Sequence, residues 1–243
     1  MAQQDQPRKR LIICPQDKGG IGKSFVMTLI YDYLTDKKVK LRTFDLDHAN
    51  STFHRFVPDS QFIDTDVDAH KLAVLDAVIN ALDTADAVLV DNRASGGTKI
   101  LQYIEDSRIV ELQSELHFDL VFVVVILDDK DAISQAADLL DEYEMRVRWL
   151  VVRNCRDSSQ LSLFEQSQTR QRLEGSGALE INVPCLTEVT RNKLQSFNLT
   201  VAGGKASDKL HLLDRARCAR FHDDMAKQFD KTKDLLTWTR PKI

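Results

Sequence analysis

Lys18-Gly19-Gly20-Ile21-Gly22-Lys23-Ser24 constrains this chain more than any other stretch. A short apolar run, Leu11-Ile12-Ile13-Cys14, leads into it, and a helix-like segment from Phe25 to Leu34 leads out. Strand, Gly-rich loop and helix in that order form the context in which a loop wraps phosphate. Gly19, Gly20 and Gly22 let successive backbone N–H groups turn inward without Cβ clashes. The helix start adds a favourable dipole for an anion. The amides of Gly19, Gly20, Ile21, Gly22, Lys23, Ser24 and Phe25 then line the cradle. Lys23 reaches the β- and γ-phosphates, and the Ser24 hydroxyl holds Mg²⁺. A merely flexible turn needs no Lys-Ser pair after its glycines and no strand before them.

The remainder of the chain fits a sheet wrapped by helices. Apolar runs alternate with segments of helical spacing, which predicts an α/β fold: an open, mostly parallel sheet with helices on both faces. Val39–Phe44, Ala87–Val90, Leu120–Leu127, Val147–Val152 and Ile181–Pro184 read as strands after the first. Val67–Thr84, Thr98–Leu116, Asp131–Tyr143, Ser158–Glu174, Glu188–Asn198 and Ser207–Thr237 read as helices. With 243 residues, 43% of them hydrophobic, the chain suits one domain of the larger α/β kind. Residues 1–10 form a polar lead-in, and residues 205–243 form C-terminal helices on or beyond the domain.

Ligands of an open parallel sheet bind at the carboxyl ends of its strands. Asp45, Asp47 and Asp91 each follow an apolar strand and fall there. Mg²⁺ takes few protein carboxylates, so one of them with Ser24 suffices. The competing use of such an Asp is a turn or helix cap.

The loop departs from the ordinary pattern, because Asp17 stands where a Gly is usual. Lys-Gly-Gly-x-Gly-Lys-Ser resembles the deviant Walker A loop of the ParA/MinD superfamily of ATPases. The resemblance spans roughly residues 10 to 204. It implies ATP with Mg²⁺ as cofactors, and slow hydrolysis stimulated by a partner. It implies a homodimer in the ATP state, with Lys18 crossing the interface to the nucleotide of the second subunit. Asp91 resembles the Walker B carboxylate. By position in the family's acidic motif, Asp47 orients or activates the attacking water, and Asp45 binds near Mg²⁺ or supports the loop. Asn154 and Pro184 match the segments that border the adenine base. Asp91-Asn92-Arg93-Ala94-Ser95 and Asp47-His48-Ala49-Asn50-Ser51-Thr52-Phe53 resemble the plasmid conjugal-transfer ATPases of the TraL type. That branch implies work in plasmid partition, positioning or conjugal transfer, with a DNA-binding adaptor or conjugation-machinery protein as partner.

Charge adds a weaker indication. Residues from Lys205 onward carry a net +4, against −8 for the rest. Arg215, Arg217, Arg220, Lys227, Lys231 and Lys233 are candidates for non-specific DNA-backbone contact, although Asp residues interrupt them. The alternative is a MinD-like membrane-associated positioner, which needs an amphipathic anchor; here Leu235, Leu236 and Trp238 are followed by Pro241. Metabolic relatives with a metal cluster need interface cysteines. The four cysteines are scattered with no Cys-x-x-Cys pair, as for thiols in a reducing cytoplasm. No apolar run reaches the roughly 18 residues of a membrane span, so the expected location is cytoplasmic.

Overall fold

A computed structural model describes residues 8–47, 51–64, 75–156 and 160–237. Its strands are β1 (Lys9–Ile13), β2 (Leu41–Asp45), β3 (Gln61–Phe62), β4 (Ala87–Asp91), β5 (Phe118–Ile126), β6 (Arg148–Asn154) and β7 (Leu179–Val183). They form one sheet in the order β3-β2-β4-β1-β5-β6-β7, and every pair is parallel. The expected fold class is therefore observed.

Alternation along each strand decides which helices its residues meet. Ile12, Val121, Val123 and Val125 face one side, with residues of α1 (Lys23–Asp36) and α11 (Leu212–Asp230). Leu11, Ile13, Leu120, Phe122, Val124 and Ile126 face the other, with α4 (Gly97–Asp106) and α6 (Lys130–Tyr143). Cover on both faces explains why β4 and β5 are almost unbroken apolar runs. Central β1 lies between β4 and β5. The chain leaves it on one side for β2 and later on the other for β5, which opens a crevice at the carboxyl ends of these strands.

Several helices differ from expectation for local reasons. The helix expected over Thr98–Leu116 is two, α4 and α5 (Ile109–Leu112), because Arg108 adopts φ 52° and ends the first. Ser158–Glu174 is α7 (Ser162–Glu165) and α8 (Gln168–Gly175), separated by Ser167 in extended backbone. The Ser167 hydroxyl accepts from Arg170 N at 3.1 Å, so it starts a new helix. Of Val67–Thr84, residues 65–74 lie outside the described residues, and α3 (Asp76–Asn80) with a 3-10 turn at Ala81–Asp83 follows. The segment Ser207–Thr237 begins as helix only at Leu212 and breaks before α12 (Lys233–Leu236). Beyond these, α9 (Glu188–Ser196) falls where expected.

Three elements escaped the sequence: α2 (Thr52–Phe56), β3 and α10 (Val201–Ala206). β3 has two exposed residues and hence no apolar signature. α10 contains Gly203-Gly204, which disfavours helix by propensity. Packing overrides it: a Cβ on Gly204 would stand 2.5 Å from Leu194 Cδ2 and 3.0 Å from Cys218 Sγ.

Arg10 joins the two ends of the described chain. It is 7% exposed, and its guanidinium donates to Leu235 O at 2.8 Å and Asp234 O at 3.1 Å while pairing with Asp119 at 2.8 Å. Leu235 and Leu236 are consequently core residues and form no free apolar face. Trp238 and Pro241 lie outside the described residues. Among the described residues no helix is long and apolar enough to cross a membrane.

Phe122 is fully buried between Tyr143 and Trp149, with ring centroids 5.1 and 5.6 Å away. Phe122→Ala is expected to cost about 3–5 kcal/mol, read as a lower urea midpoint at unchanged slope.

Candidate functional site

The glycine loop sits at the mouth of the crevice between β1 and α1. Gly20 and Gly22 have φ of 75° and 97°, which a side chain would strain. At Gly22 a Cβ would also fall 2.6 Å from Asn154 Nδ2. The first backbone bond of α1 runs from Val26 N to Gly22 O at 2.9 Å. The amides of Gly19 through Phe25 before it carry no backbone hydrogen bond among the described residues. That run of free donors at a helix start is an anion cradle. The ring of Phe25 packs toward Phe221 of α11, centroids 6.2 Å apart, so its amide is what it offers the loop.

Both lysines of the motif are folded back. Lys23 Nζ donates to Lys18 O at 2.7 Å. Lys18 Nζ is paired with Asp129 at 2.7 Å and Asp131 at 2.8 Å, at the start of α6. These partners, through hydrogen bonds first, hold its pKa above the usual lysine value. Lys18 N also donates to Gln135 Oε1 at 3.0 Å. Sequence reasoning missed all three partners, because no local pattern links residues more than a hundred positions apart.

Residues ahead of the loop fasten it to the sheet. Gln16, 1% exposed, exchanges two bonds with β5: Nε2 donates to Val125 O at 3.2 Å, and Val125 N donates to Oε1 at 2.6 Å. Asp17 accepts from Gly97 N at 2.5 Å and Thr98 Oγ1 at 2.9 Å, and its carbonyl accepts from Ser95 N at 2.9 Å. Arg156 Nη1 donates to Gly20 O at 2.6 Å, placing a guanidinium on the loop's rim.

The carboxylates divide by what surrounds them. Asp45 and Asp91 are register partners at the ends of β2 and β4, and both are fully buried. Asp45 is satisfied: its oxygens accept from Asp47 N at 2.8 Å and His54 N at 2.7 Å. Those bonds fold the turn that carries Asp47, which is 7% exposed. His48, Ala49 and Asn50 lie outside the described residues. Among the described residues neither oxygen of Asp91 has a hydrogen-bond partner. Burial pushes its carboxyl up to about 8; the Ser24 hydroxyl opposes the shift without completing a bond, Asp45 and Asp47 add to it, and Lys23 opposes it. Beside Asp91, Asn92 is 2% exposed, and its Nδ2 also lacks a partner. The buried, unbonded Asp91 carboxyl and the Ser24 hydroxyl form an oxygen-only donor pair of the kind that suits Mg²⁺, with the Lys23 ammonium beside it for phosphate.

Asn154 and Pro184 follow the neighbouring strands β6 and β7. Asn154 pairs in register with Val183, and Cys155 N donates to Val183 O at 2.9 Å. Asn154 is buried, and its Nδ2 donates to Ile21 O at 2.8 Å, so it braces the loop while standing at the crevice. Pro184 is exposed at the adjoining strand end. The basic tail lies elsewhere, on α11 and α12, and is partly neutralised: Arg217 pairs with Asp214 at 2.9 Å and Lys227 with Asp224 at 3.0 Å.

No family model matches the chain. In sequence it is similar to Protein TraL of Escherichia coli, 24% identical over 236 residues, covering 88% of this chain and 95% of that one. A second Escherichia coli protein of the same name is 26% identical over 184 residues, covering 72% and 76%. In structure it is similar to the septum site-determining protein MinD complexed with Mg-ADP from Pyrococcus horikoshii OT3. The TM-score is 0.56 at 13% identity, over 94% of this chain and 98% of the other. A putative plasmid partition protein from Borrelia burgdorferi B31, bound to AMPPNP, gives 0.51 at 13% identity, over 93% and 99%. The chain thus has the fold of the MinD- and ParA-like P-loop proteins, with sequence similarity to TraL, as the motif resemblance implied.

Asp91 gives the ligand-free protein a pH signature. Between about pH 4 and about pH 8 the folded chain keeps a proton on Asp91 that the unfolded chain has released. The stability associated with that proton declines as pH rises through this window. Thermal midpoints of ligand-free protein between about pH 5 and about pH 8 should fall more for the wild type than for Asp91→Asn.

Proposed function

We propose that this chain is a Mg²⁺-dependent ATPase working as a nucleotide-gated dimer in the positioning, partition or conjugal transfer of plasmid or other mobile DNA. The bare, buried carboxylate of Asp91 beside Ser24 and Lys23, beneath a loop of free amides, carries this reading. Fold neighbours that hold Mg-ADP and AMPPNP support the nucleotide, and similarity to TraL and to a plasmid partition protein supports the setting.

Each residue then has a task. The amides of Gly19 to Phe25 wrap the β- and γ-phosphates, and Lys23 exchanges the Lys18 carbonyl for phosphate oxygen. Ser24 and Asp91 would hold Mg²⁺, with Asp45 near it. When bound there, the cation would supply charge neutralisation for the phosphates. Asp47 orients the attacking water, and the two amide bonds to Asp45 hold it in place. Asn154 and Pro184 border the base. Lys18 must leave Asp129 and Asp131 to reach the nucleotide of a second subunit. There it adds positive charge where the transition state gathers negative charge. The carboxylates it leaves are 39% exposed at Asp129 and 78% exposed at Asp131, so water can replace the lysine on them. The chain acts as one cytoplasmic domain. A DNA-binding adaptor or conjugation-machinery protein reads the dimer, and the α11–α12 cations add a salt-sensitive contact to DNA backbone.

Size-exclusion with light scattering tests the gate. Wild type should be monomeric with ADP and dimeric with ATP, and Asp47→Ala should accumulate the ATP dimer. Monomers under every condition would overturn the reading.

The folded-back lysine makes a separate prediction. Replacing both Asp129 and Asp131 by Asn frees Lys18, so the dimer should form at ATP concentrations lower by a factor of less than about ten. A titration of dimer fraction against ATP reads this shift, and it should shrink in high salt.

A further inference from the structure

Asp17 stands where an ordinary phosphate loop has glycine, and the structure gives the side chain a specific use. Helix α4 starts at Gly97 with Gly96 before it, so it has no capping side chain of its own. The cap comes from Asp17, eighty positions earlier: one carboxylate oxygen accepts from Gly97 N at 2.5 Å, the other from Thr98 Oγ1 at 2.9 Å. A third bond, from Ser95 N to Asp17 O at 2.9 Å, closes the seam. The contact is too tight for any larger residue at Gly97, where a Cβ would lie 1.9 Å from Pro15 O and 2.9 Å from Asp17 Oδ1. Ser95 adopts φ 60° to turn the chain into it.

The fastened segment, residues 92–98, directly follows Asp91. At its root lie two residues with buried polar atoms that have no partner among the described residues: both Asp91 oxygens and Asn92 Nδ2. A seam that ties this segment to the phosphate loop fixes both groups relative to the cradle. The carboxylate also places negative charge at the start of α4, where the helix dipole favours it.

We propose that Asp17 is a positioning residue for phosphoryl transfer: it clamps the segment after Asp91 to the phosphate loop, so that Asp91 and Asn92 stay in register with the bound phosphates. This rests on the nucleotide reading above. Asp17 itself touches no phosphate and acts through Gly97 and Thr98. Its loss is a loss of alignment, which lowers the rate of the chemical step and leaves ground-state binding nearly intact.

The test compares wild type, Asp17→Ala, Asp17→Asn and Thr98→Val in steady-state and single-turnover ATP hydrolysis, with fluorescent-ADP binding and thermal melts alongside. Asp17→Ala should lower kcat by about tenfold or more, with KM and ADP affinity within about twofold of wild type. Asp17→Asn keeps an oxygen for Gly97 N–H and an amide for the Thr98 hydroxyl, so it should recover most of the rate. Thr98→Val deletes half of the clamp from an exposed position and should give a smaller drop of the same kind, whether or not Asp17→Ala folds. An active wild type with equally active Asp17→Ala and Thr98→Val overturns the clamp alone. Parallel losses of kcat, ADP affinity and melting temperature, unrelieved by Asn, also overturn it, by showing a merely structural role. A wild type that neither binds nor hydrolyses ATP overturns the nucleotide reading, and the clamp with it.

Discussion

One electrostatic constraint organises the site: the carboxyl group of Asp91 lies fully buried with no hydrogen bond to either oxygen among the described residues. Leaving such a group unsatisfied costs on the order of 1–3 kcal/mol. The chain keeps it there because the register of β2, β4 and β1 gives it no other position, and because neighbours of both signs surround it. Asp45, one strand over, shows the alternative fate of the same residue type. Its two backbone donors make it a turn former, whereas both Asp91 oxygens stay unbonded among the described residues.

Around that point the loop is fastened by residues that flank its glycines. Gln16 ties it to β5, Asp17 to α4, the Lys18 amide to α6, and Asn154 braces it from β6. Four elements therefore converge on a loop whose Gly19–Phe25 amides make no backbone hydrogen bond among the described residues. Rigidity in the frame with open valence at the centre is what binding a highly charged ligand requires, since the donors need little reorganisation when it arrives.

Much of this was legible from the chain alone, where local pattern and physical cause coincide. The strand-loop-helix order, the alternating strands and the acids at strand ends each follow from periodicity or from the backbone freedom of glycine. Less was legible where the cause lies far away in sequence. Asp17 read as a departure from a motif; only the fold shows that it caps a helix eighty residues later. Asp45 and Asp91 looked alike until His54 N and Asp47 N were found on one of them. α10 was hidden because its glycines argue against helix, while the close approach of Leu194 and Cys218 favours glycine at the second of them, Gly204. Lys18 carried a motif, yet nothing nearby pointed to Asp129 and Asp131 as its holders.

The central place of β1 has a temporal side. β1 leaves the ribosome before both of its neighbours, β4 and β5, which end at Asp91 and Ile126. At translation speeds of about 5–20 residues per second, its apolar residues wait for several seconds before both neighbours exist. During nascent-chain growth the Leu11–Ile13 run is therefore an unpaired, sticky segment, and chaperones that shield such segments have their opportunity while it waits.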